Sequence, residues 1–350
     1  MRYKLFGRSG LRVSELCLGT MTFGADWGWG ADDAESRAMF DAFANAGGNF
    51  IDTANVYTGG SSERLVGDCI KADRDHFVVA TKYTPSVAGD LVKAGNSRKN
   101  MLRSVEESLR RLGTDHIDLY YLHFWDDTTP LDEIMRGLDD LVRAGKVTYI
   151  AFSDTPAWRI GRACLLADLR GWSPLIGIQV EYSLLERTAE RELLPMAREL
   201  DLGVTAWSPL AQGVLTGKFI GAANASHSRQ PAATIPESSQ NVARLVVEIA
   251  REASCTPGQA ALAALRQLAP LASFMPILGA RSVDQLRENL ACLEVRLTPE
   301  QLERLDAATA IAPGFPHALL AAESTRSFAT GGSTDSLDNH RQRACHAPVL

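Results

Sequence analysis

Between residues 16 and 278, short apolar runs of strand length alternate with amphipathic stretches whose apolar positions recur at helical period. Eight runs read as strands: 16–20, 49–52, 77–82, 117–123, 147–153, 176–181, 203–208 and 274–278. Helix starts are marked between them. Asp32 and Glu35 have capping-box spacing. Thr256-Pro257-x-Gln259 and Thr298-Pro299-x-Gln301 each combine a cap, a proline at the first helical position and a Gln three residues after the cap. A helix carrying Ser104, Leu109 and Leu112 stops at Gly113, and one over 131–144 stops at Gly145. Ahead of the alternation, residues 3–13 predict a β-hairpin turning at Gly7-Arg8-Ser9-Gly10.

Eight strands alternating with helices, with no reset in composition, predict an α/β fold, a (β/α)8 TIM barrel. Its domain, hairpin included, covers 1–311, and 312–350 reads as an irregular C-terminal tail. Residues 220–236 read as a mobile loop rich in Ala, Ser, Asn and Pro. A doubly wound sheet is the alternative, but its glycine fingerprint fails: Gly28-Trp29-Gly30 is followed by Asp33 where a third glycine belongs. Gly213-Val214-Leu215-Thr216-Gly217-Lys218 is one residue short of a P-loop.

Composition adds exclusions. Formal charge is −6 over 350 residues, so no global basic field points to nucleic acid or an anionic membrane. No run approaches 18 apolar residues, and residues 1–4 start no signal region, so a cytoplasmic setting is expected. The six cysteines are scattered. Cys17 and Cys292 sit among apolar neighbours and read as buried hydrophobes. His340, Cys345 and His346 in the tail form no closed ligand set, and no metal is expected. Arg110-Arg111 reads as a solvated helix face, and Trp158 and Trp172 as packing residues.

In a barrel, the C-terminal ends of the strands share one mouth. Those ends carry Asp52, Lys82, His123, Ser153, Gln179 and Ser208, with Tyr57 just beyond Asp52. Singly, Asp52 reads as a cap, Tyr57 as a loop residue, Lys82 as an edge charge and His123 as a structural histidine. Together they suit proton donation to a carbonyl oxygen. The Lys82 ammonium would depress the phenol pKa of Tyr57. Asp52 would keep Lys82 charged, and His123 would donate to the substrate oxygen. Hydride has to come from a cofactor, since no side chain supplies it. A Schiff-base role for Lys82 fits less well, because Asp52 and Tyr57 favour a charged amine.

Gly48-Asn49-Phe50-Ile51-Asp52-Thr53-Ala54-x-x-Tyr57, Ala80-Thr81-Lys82 and Asp118-Leu119-Tyr120-Tyr121-Leu122-His123 resemble the aldo-keto reductase family, from the hairpin to about residue 310. The resemblance implies Tyr57 as general acid, Lys82 and Asp52 as its tuners, and His123 as the group polarising a small-molecule aldehyde or ketone. It implies NADPH (NADP+) across the mouth, with NADH as the alternative. Asp52, with Gly19, Thr20 and Met21 at the end of the first strand, would bind that cofactor. Ser153, Asp154 and Gln179 would take the carboxamide, and Trp207 would stack on the nicotinamide. Ser208, Pro209, Leu210, Gln212, Gly213 and Lys218 would surround the pyrophosphate. Gly279, Arg281, Gln285, Glu288 and Asn289 would take the adenosine end. Three positions depart from the pattern. Asp154 stands where Asn is frequent, and Gly279 and Gln285 replace basic residues, leaving Arg281 for the 2′-phosphate. Trp27, Trp29, Phe124 and Trp125, with Tyr57 and His123, are expected to line a pocket for a flat or apolar carbonyl compound. The same resemblance includes potassium-channel β subunits, so a cofactor-binding regulatory subunit is the second reading. Oligomeric state is not legible.

Overall fold

Period-two alternation turns every second side chain of a strand to one face of the sheet, and in this chain the inward face is apolar at the floor of the barrel and polar at its mouth. The computed structural model describes residues 1–86, 89–220, 234–268 and 273–338. Two short strands, β1 (Tyr3–Leu5) and β2 (Arg12–Ser14), form an antiparallel hairpin. The eight expected strands follow as β3 (Cys17–Gly19), β4 (Phe50–Asp52), β5 (Val78–Tyr83) and β6 (Ile117–Leu122). They continue as β7 (Val147–Ser153), β8 (Leu175–Glu181), β9 (Gly203–Trp207) and β10 (Phe274–Gly279). All pair in parallel and in sequence order, and β10 closes on β3, making the predicted (β/α)8 barrel.

Phe50, Val78, Ala80, Leu119, Tyr121, Ala151, Met275 and Ile277 pack together as the barrel interior. Two residues along from Phe50, Ala80 and Tyr121, the same face carries Asp52, Lys82 and His123. The hairpin seals the floor. Phe6 is fully buried against Phe50, with ring centroids 5.6 Å apart. Gly177 and Gly203 make room for it: a Cβ at either would lie 2.2 Å or 2.8 Å from the Phe6 ring.

The helices bury their apolar stripes on the outside of the strands. Both Thr–Pro–x–Gln sites cap reciprocally: Gln259 N donates to Thr256 Oγ1 and Thr256 N to Gln259 Oε1, and the same exchange joins Thr298 and Gln301. Asp32 caps Asp33–Asn45, but Glu35 does not reach back to it. Glu35 instead accepts from Val283 N, at the start of Val283–Leu290, with which the first helix packs. Gly113, with φ of 64°, ends Arg98–Leu112 as expected.

Three expectations are revised. Arg111 is no solvated residue: its Nε lies 2.6 Å from Glu63, whose side chain is fully buried. Burial of that carboxylate draws the guanidinium in. Trp158 is 62% exposed and packs on Arg159 rather than into a core. The tail is partly regular, with helices His317–Ala321 and Glu323–Ala329. The loop expected over 220–236 falls mainly on residues 221–233, outside the described residues, as do His340, Cys345 and His346. Among the described residues, no group of His, Cys, Asp and Glu is arranged to hold a metal, and no helix is long and apolar enough to cross a membrane.

Phe6→Ala should leave a large void beneath the barrel and cost about 3–5 kcal/mol of unfolding free energy. Urea denaturation measures it; a loss below about 1 kcal/mol would show that the hairpin is not a structural plug.

Candidate active site

Asp52 ends β4 and Lys82 lies one residue before the end of β5, with Asp52 in register with Ala80 and Lys82 with Tyr121. Both point into the mouth from the inward face. Lys82 Nζ is 2.7 Å from Asp52 Oδ2, and their side chains are 0% and 5% exposed. The ammonium also donates to Thr53 O at 2.8 Å and to Tyr57 Oη at 3.2 Å. Its pKa sits above the usual value. Burial pulls it down, but Asp52 and Tyr57 more than offset that. Lys82 is therefore a fixed, permanent cation.

Tyr57 is delivered by a strained turn. It opens a 3-10 segment, Tyr57–Gly60, in which Thr58 has φ of 46°, costly for a β-branched residue. The Thr58 hydroxyl holds the turn by donating to Phe23 O at 2.6 Å and accepting from Ser62 N at 3.0 Å. The phenol pKa is raised, against expectation. Burial is the largest influence and outweighs the lowering by Lys82, while Asp52 raises it further. Tyr57 is thus protonated at rest, a donor rather than a phenolate.

His123 follows β6, and its ring stands 6.0 Å from that of Tyr57 at 80°. Burial, helped by the Lys82 charge, lowers its pKa from 6.5 to about 3. The imidazole is neutral, and its Nδ1 is a buried atom with no hydrogen-bond partner.

The remaining expected residues are placed around this cluster. Ser153 and Gln179 are level on β7 and β8. Gln179 Nε2 donates to Asp52 Oδ1 at 2.8 Å, so both carboxylate oxygens are engaged. Asp154 has φ of 39°, and its Oδ1 accepts the Trp207 indole N–H at 3.1 Å. Its pKa is raised by burial despite that bond and the Lys82 charge. Thr20, next to Gly19 and Met21, donates to Asp52 O at 2.9 Å. Beyond Trp207, the chain passes through Ser208, Pro209 and Leu210, with left-handed φ at Ser208, Ala211, Gln212 and Gly213. Gly213, at φ of 91°, adopts a backbone conformation that favours glycine, and a Cβ there would lie 2.7 Å from Lys218 Nζ. At the end of β10, Gly279 borders open space. Arg281 N donates to Gln285 Oε1 at 3.0 Å. Glu288 O accepts from Gln259 Nε2, and Asn289 is nearly buried.

The aromatic residues separate. Trp27 and Trp29 pack on each other at 5.4 Å, and Trp29 also faces the Arg281 guanidinium at 5.6 Å. One expected wall residue thus meets one expected cofactor residue. Phe124 is 41% exposed, 5.6 Å from His123, whereas Trp125 stacks on Arg159 at 4.3 Å. An open cavity of about 450 Å³ beside Trp207 is lined by Asp154, Glu181, Glu186 and Leu193. Sequence reasoning missed Thr53 O as an acceptor for Lys82 and the bond from Gln179 to Asp52. A backbone carbonyl carries no residue signal, and β4 and β8 meet only in the closed barrel.

The molecule is a closed parallel barrel with a buried lysine–carboxylate–phenol cluster at its C-terminal mouth, the end where barrel enzymes carry their sites. The Aldo/keto reductase family model matches residues 15–310, and the chain belongs to that family. It is 36% identical over 337 residues to the norsolorinic acid reductase of Aspergillus flavus, covering 93% of this chain and 85% of that protein. It is 35% identical over 333 residues to the aryl-alcohol dehydrogenase [NADP(+)] of Phanerodontia chrysosporium, covering 89% and 86%. It is also 38% identical over 317 residues to the uncharacterized oxidoreductase YrpG of Bacillus subtilis, covering 87% and 95%. The protein is an NAD(P)H-dependent oxidoreductase of carbonyl compounds.

The depressed His123 pKa has a stability consequence. Below pH 6.5 the unfolded chain takes up a proton that the folded site refuses, so this residue lowers stability as pH falls towards 3. His123→Gln should flatten the acid limb of a stability–pH curve over that window. An NMR titration of the parent showing His123 protonated near pH 6 would contradict the buried neutral state.

Proposed function

We propose that this enzyme reduces an aromatic aldehyde or ketone to its alcohol with NADPH, using Tyr57 as proton donor. The observation that carries the reading is the single buried cluster in which Lys82 Nζ meets Asp52 at 2.7 Å and Tyr57 Oη at 3.2 Å. The residues fit a dinucleotide. The left-handed residues Ser208, Ala211, Gln212 and Gly213 shape a loop that brings the backbone to Lys218, a cradle of the kind that accepts phosphate oxygens. Gly279, two residues before Arg281, borders open space. Ser153, Asp154, Gln179 and Trp207 would hold the nicotinamide end, and Arg281 the 2′-phosphate. Bound there, the reduced nicotinamide supplies the hydride.

The protein's own groups do the rest. The phenol enters the reaction protonated, because burial holds its proton on. As negative charge grows on the carbonyl oxygen, Tyr57 releases that proton, and the adjacent Lys82 ammonium stabilises the phenolate left behind. Lys82 thus acts on the product of proton transfer rather than by lowering the resting pKa. Asp52 and Thr53 O hold the ammonium in place, and Gln179 holds Asp52. His123 is neutral and has one N–H. A buried, unpartnered Nδ1 is cheaper as a bare acceptor than as a donor, which leaves the proton on Nε2 to bind the carbonyl oxygen. A charged Lys82 is a poor Schiff-base nucleophile. An intact proton-donating cluster favours turnover over a purely regulatory role. The relatives' names, a norsolorinic acid reductase and an aryl-alcohol dehydrogenase, support an aromatic substrate, as does the exposed Phe124 ring beside His123.

Tyr57→Phe should lower kcat with an aryl aldehyde by about 10²–10⁴-fold while leaving the NADPH dissociation constant unchanged. Turnover equal to that of the parent would remove Tyr57 as the acid. Separately, Arg281→Ala should weaken NADPH roughly 10–100-fold, as expected for a lost charge-assisted phosphate contact, and leave NADH unaffected. Equal weakening of both cofactors, read by equilibrium fluorescence titration, would place the 2′-phosphate elsewhere.

A further inference from the structure

Arg159 lies in the first turn of the helix Ala157–Arg170, away from the Lys82 cluster. Its guanidinium lies 4.3 Å from the centroid of the Trp125 ring and 4.3 Å from that of the Trp158 ring. Arg159 Nη2 lies 2.8 Å from Asp127 Oδ1, and the same oxygen accepts the Trp125 indole N–H at 2.9 Å. Asp127 is held at φ of 55° to make both bonds. The backbone N–H of Trp125 donates to Asp154 O at 3.4 Å, and Asp154 Oδ1 accepts from Trp207. One band of contacts therefore runs over the ends of β6, β7 and β9.

An exposed Arg–Asp pair alone would contribute little. Here the Arg159 side chain is only 23% exposed, and it lies within reach of two indole rings, each a favourable partner for a guanidinium. The segment it grips leads directly from His123 and Phe124. After β6 it runs without regular structure until Leu131; Asn96 holds its backbone at Phe124 O and Asp126 ties its turn, while Arg159 holds the Trp125 ring and Asp127. Trp125 was expected to line the pocket, but its ring is committed to Arg159. Phe124, next in chain, remains 41% exposed beside His123.

We propose that Arg159 is a positioning residue for substrate selection: by pinning Trp125 and Asp127 it holds Phe124 beside His123 as a fixed flat face, which favours aromatic carbonyl compounds over small aliphatic ones. This rests on the reading that the carbonyl oxygen is bound at His123. The effect of Arg159 falls on how well a large ring is seated, not on proton transfer.

The test compares 2-naphthaldehyde with propanal on the full-length enzyme with NADPH. Arg159→Ala should raise KM for the naphthaldehyde by about tenfold, with kcat, KM for propanal and the NADPH dissociation constant unchanged. Arg159→Lys, which keeps a cation over the rings and a partner for Asp127, should recover part of that loss. If Arg159→Ala does not fold, Asp127→Asn removes the charge of the pin at constant volume and should shift the same ratio in the same direction. A KM that moves equally for both carbonyls, or for neither, overturns the proposal while leaving the reductase reading intact. A parent enzyme that oxidises NADPH with neither carbonyl would overturn the reading itself and the inference with it.

Discussion

The mouth of this barrel is organised by one demanding requirement, a lysine ammonium held with its side chain fully out of water. Stripping an ammonium of its hydration costs several kcal/mol, and the cost is met only by well-placed partners. Lys82 has three: the Asp52 carboxylate, the Thr53 carbonyl and the Tyr57 hydroxyl. Each partner in turn needs its own support. Asp52 has Gln179 on its second oxygen. The Thr53 hydroxyl meets Ser62, which also meets Thr20. Tyr57 sits on a turn pinned through Thr58. The polar network around the mouth follows from keeping that one charge in a dry place.

The dryness is supplied from below. Phe6, Phe50 and the aliphatic interior residues fill the lower barrel, so the cluster looks down on hydrocarbon and up into the mouth. In such surroundings a charge acts more strongly and over a longer range than in water. The two protonation states that matter are both set by this asymmetry. Burial keeps the Tyr57 proton on and the His123 proton off. The same Lys82 charge that disfavours imidazolium would favour phenolate once the proton has left, which separates the tasks of the two residues.

Around this rigid centre, the mouth is lined by loops with their own fastenings. Trp29 meets Arg281 on one side, and Trp125 meets Arg159 on the other. Two arginine–tryptophan contacts thus brace opposite parts of the rim, one beside the residues proposed for the adenosine end and one beside Phe124. Indole faces give such contacts a fixed plane, which a lysine–carboxylate pair on a mobile stem would not.

Eight strands, the hairpin, the reciprocal caps at Thr256 and Thr298 and the stop at Gly113 were legible in the sequence, because each depends on neighbours within a few positions: alternation, cap chemistry or a residue that tolerates a left-handed backbone. That Asp52, Lys82 and His123 would meet at one mouth, with Tyr57 in the loop after Asp52, was legible too, since strand ends in a barrel converge by architecture. Contacts between residues distant in the chain were not. Nothing local to Arg111 announces buried Glu63, and nothing near Trp125 announces that its ring faces Arg159 instead of the pocket. The direction of the Tyr57 shift was likewise beyond reach. The charge of Lys82 can be read from one letter, but the depth of burial that outweighs it is a property of the closed barrel, where desolvation depends on every atom that has replaced water.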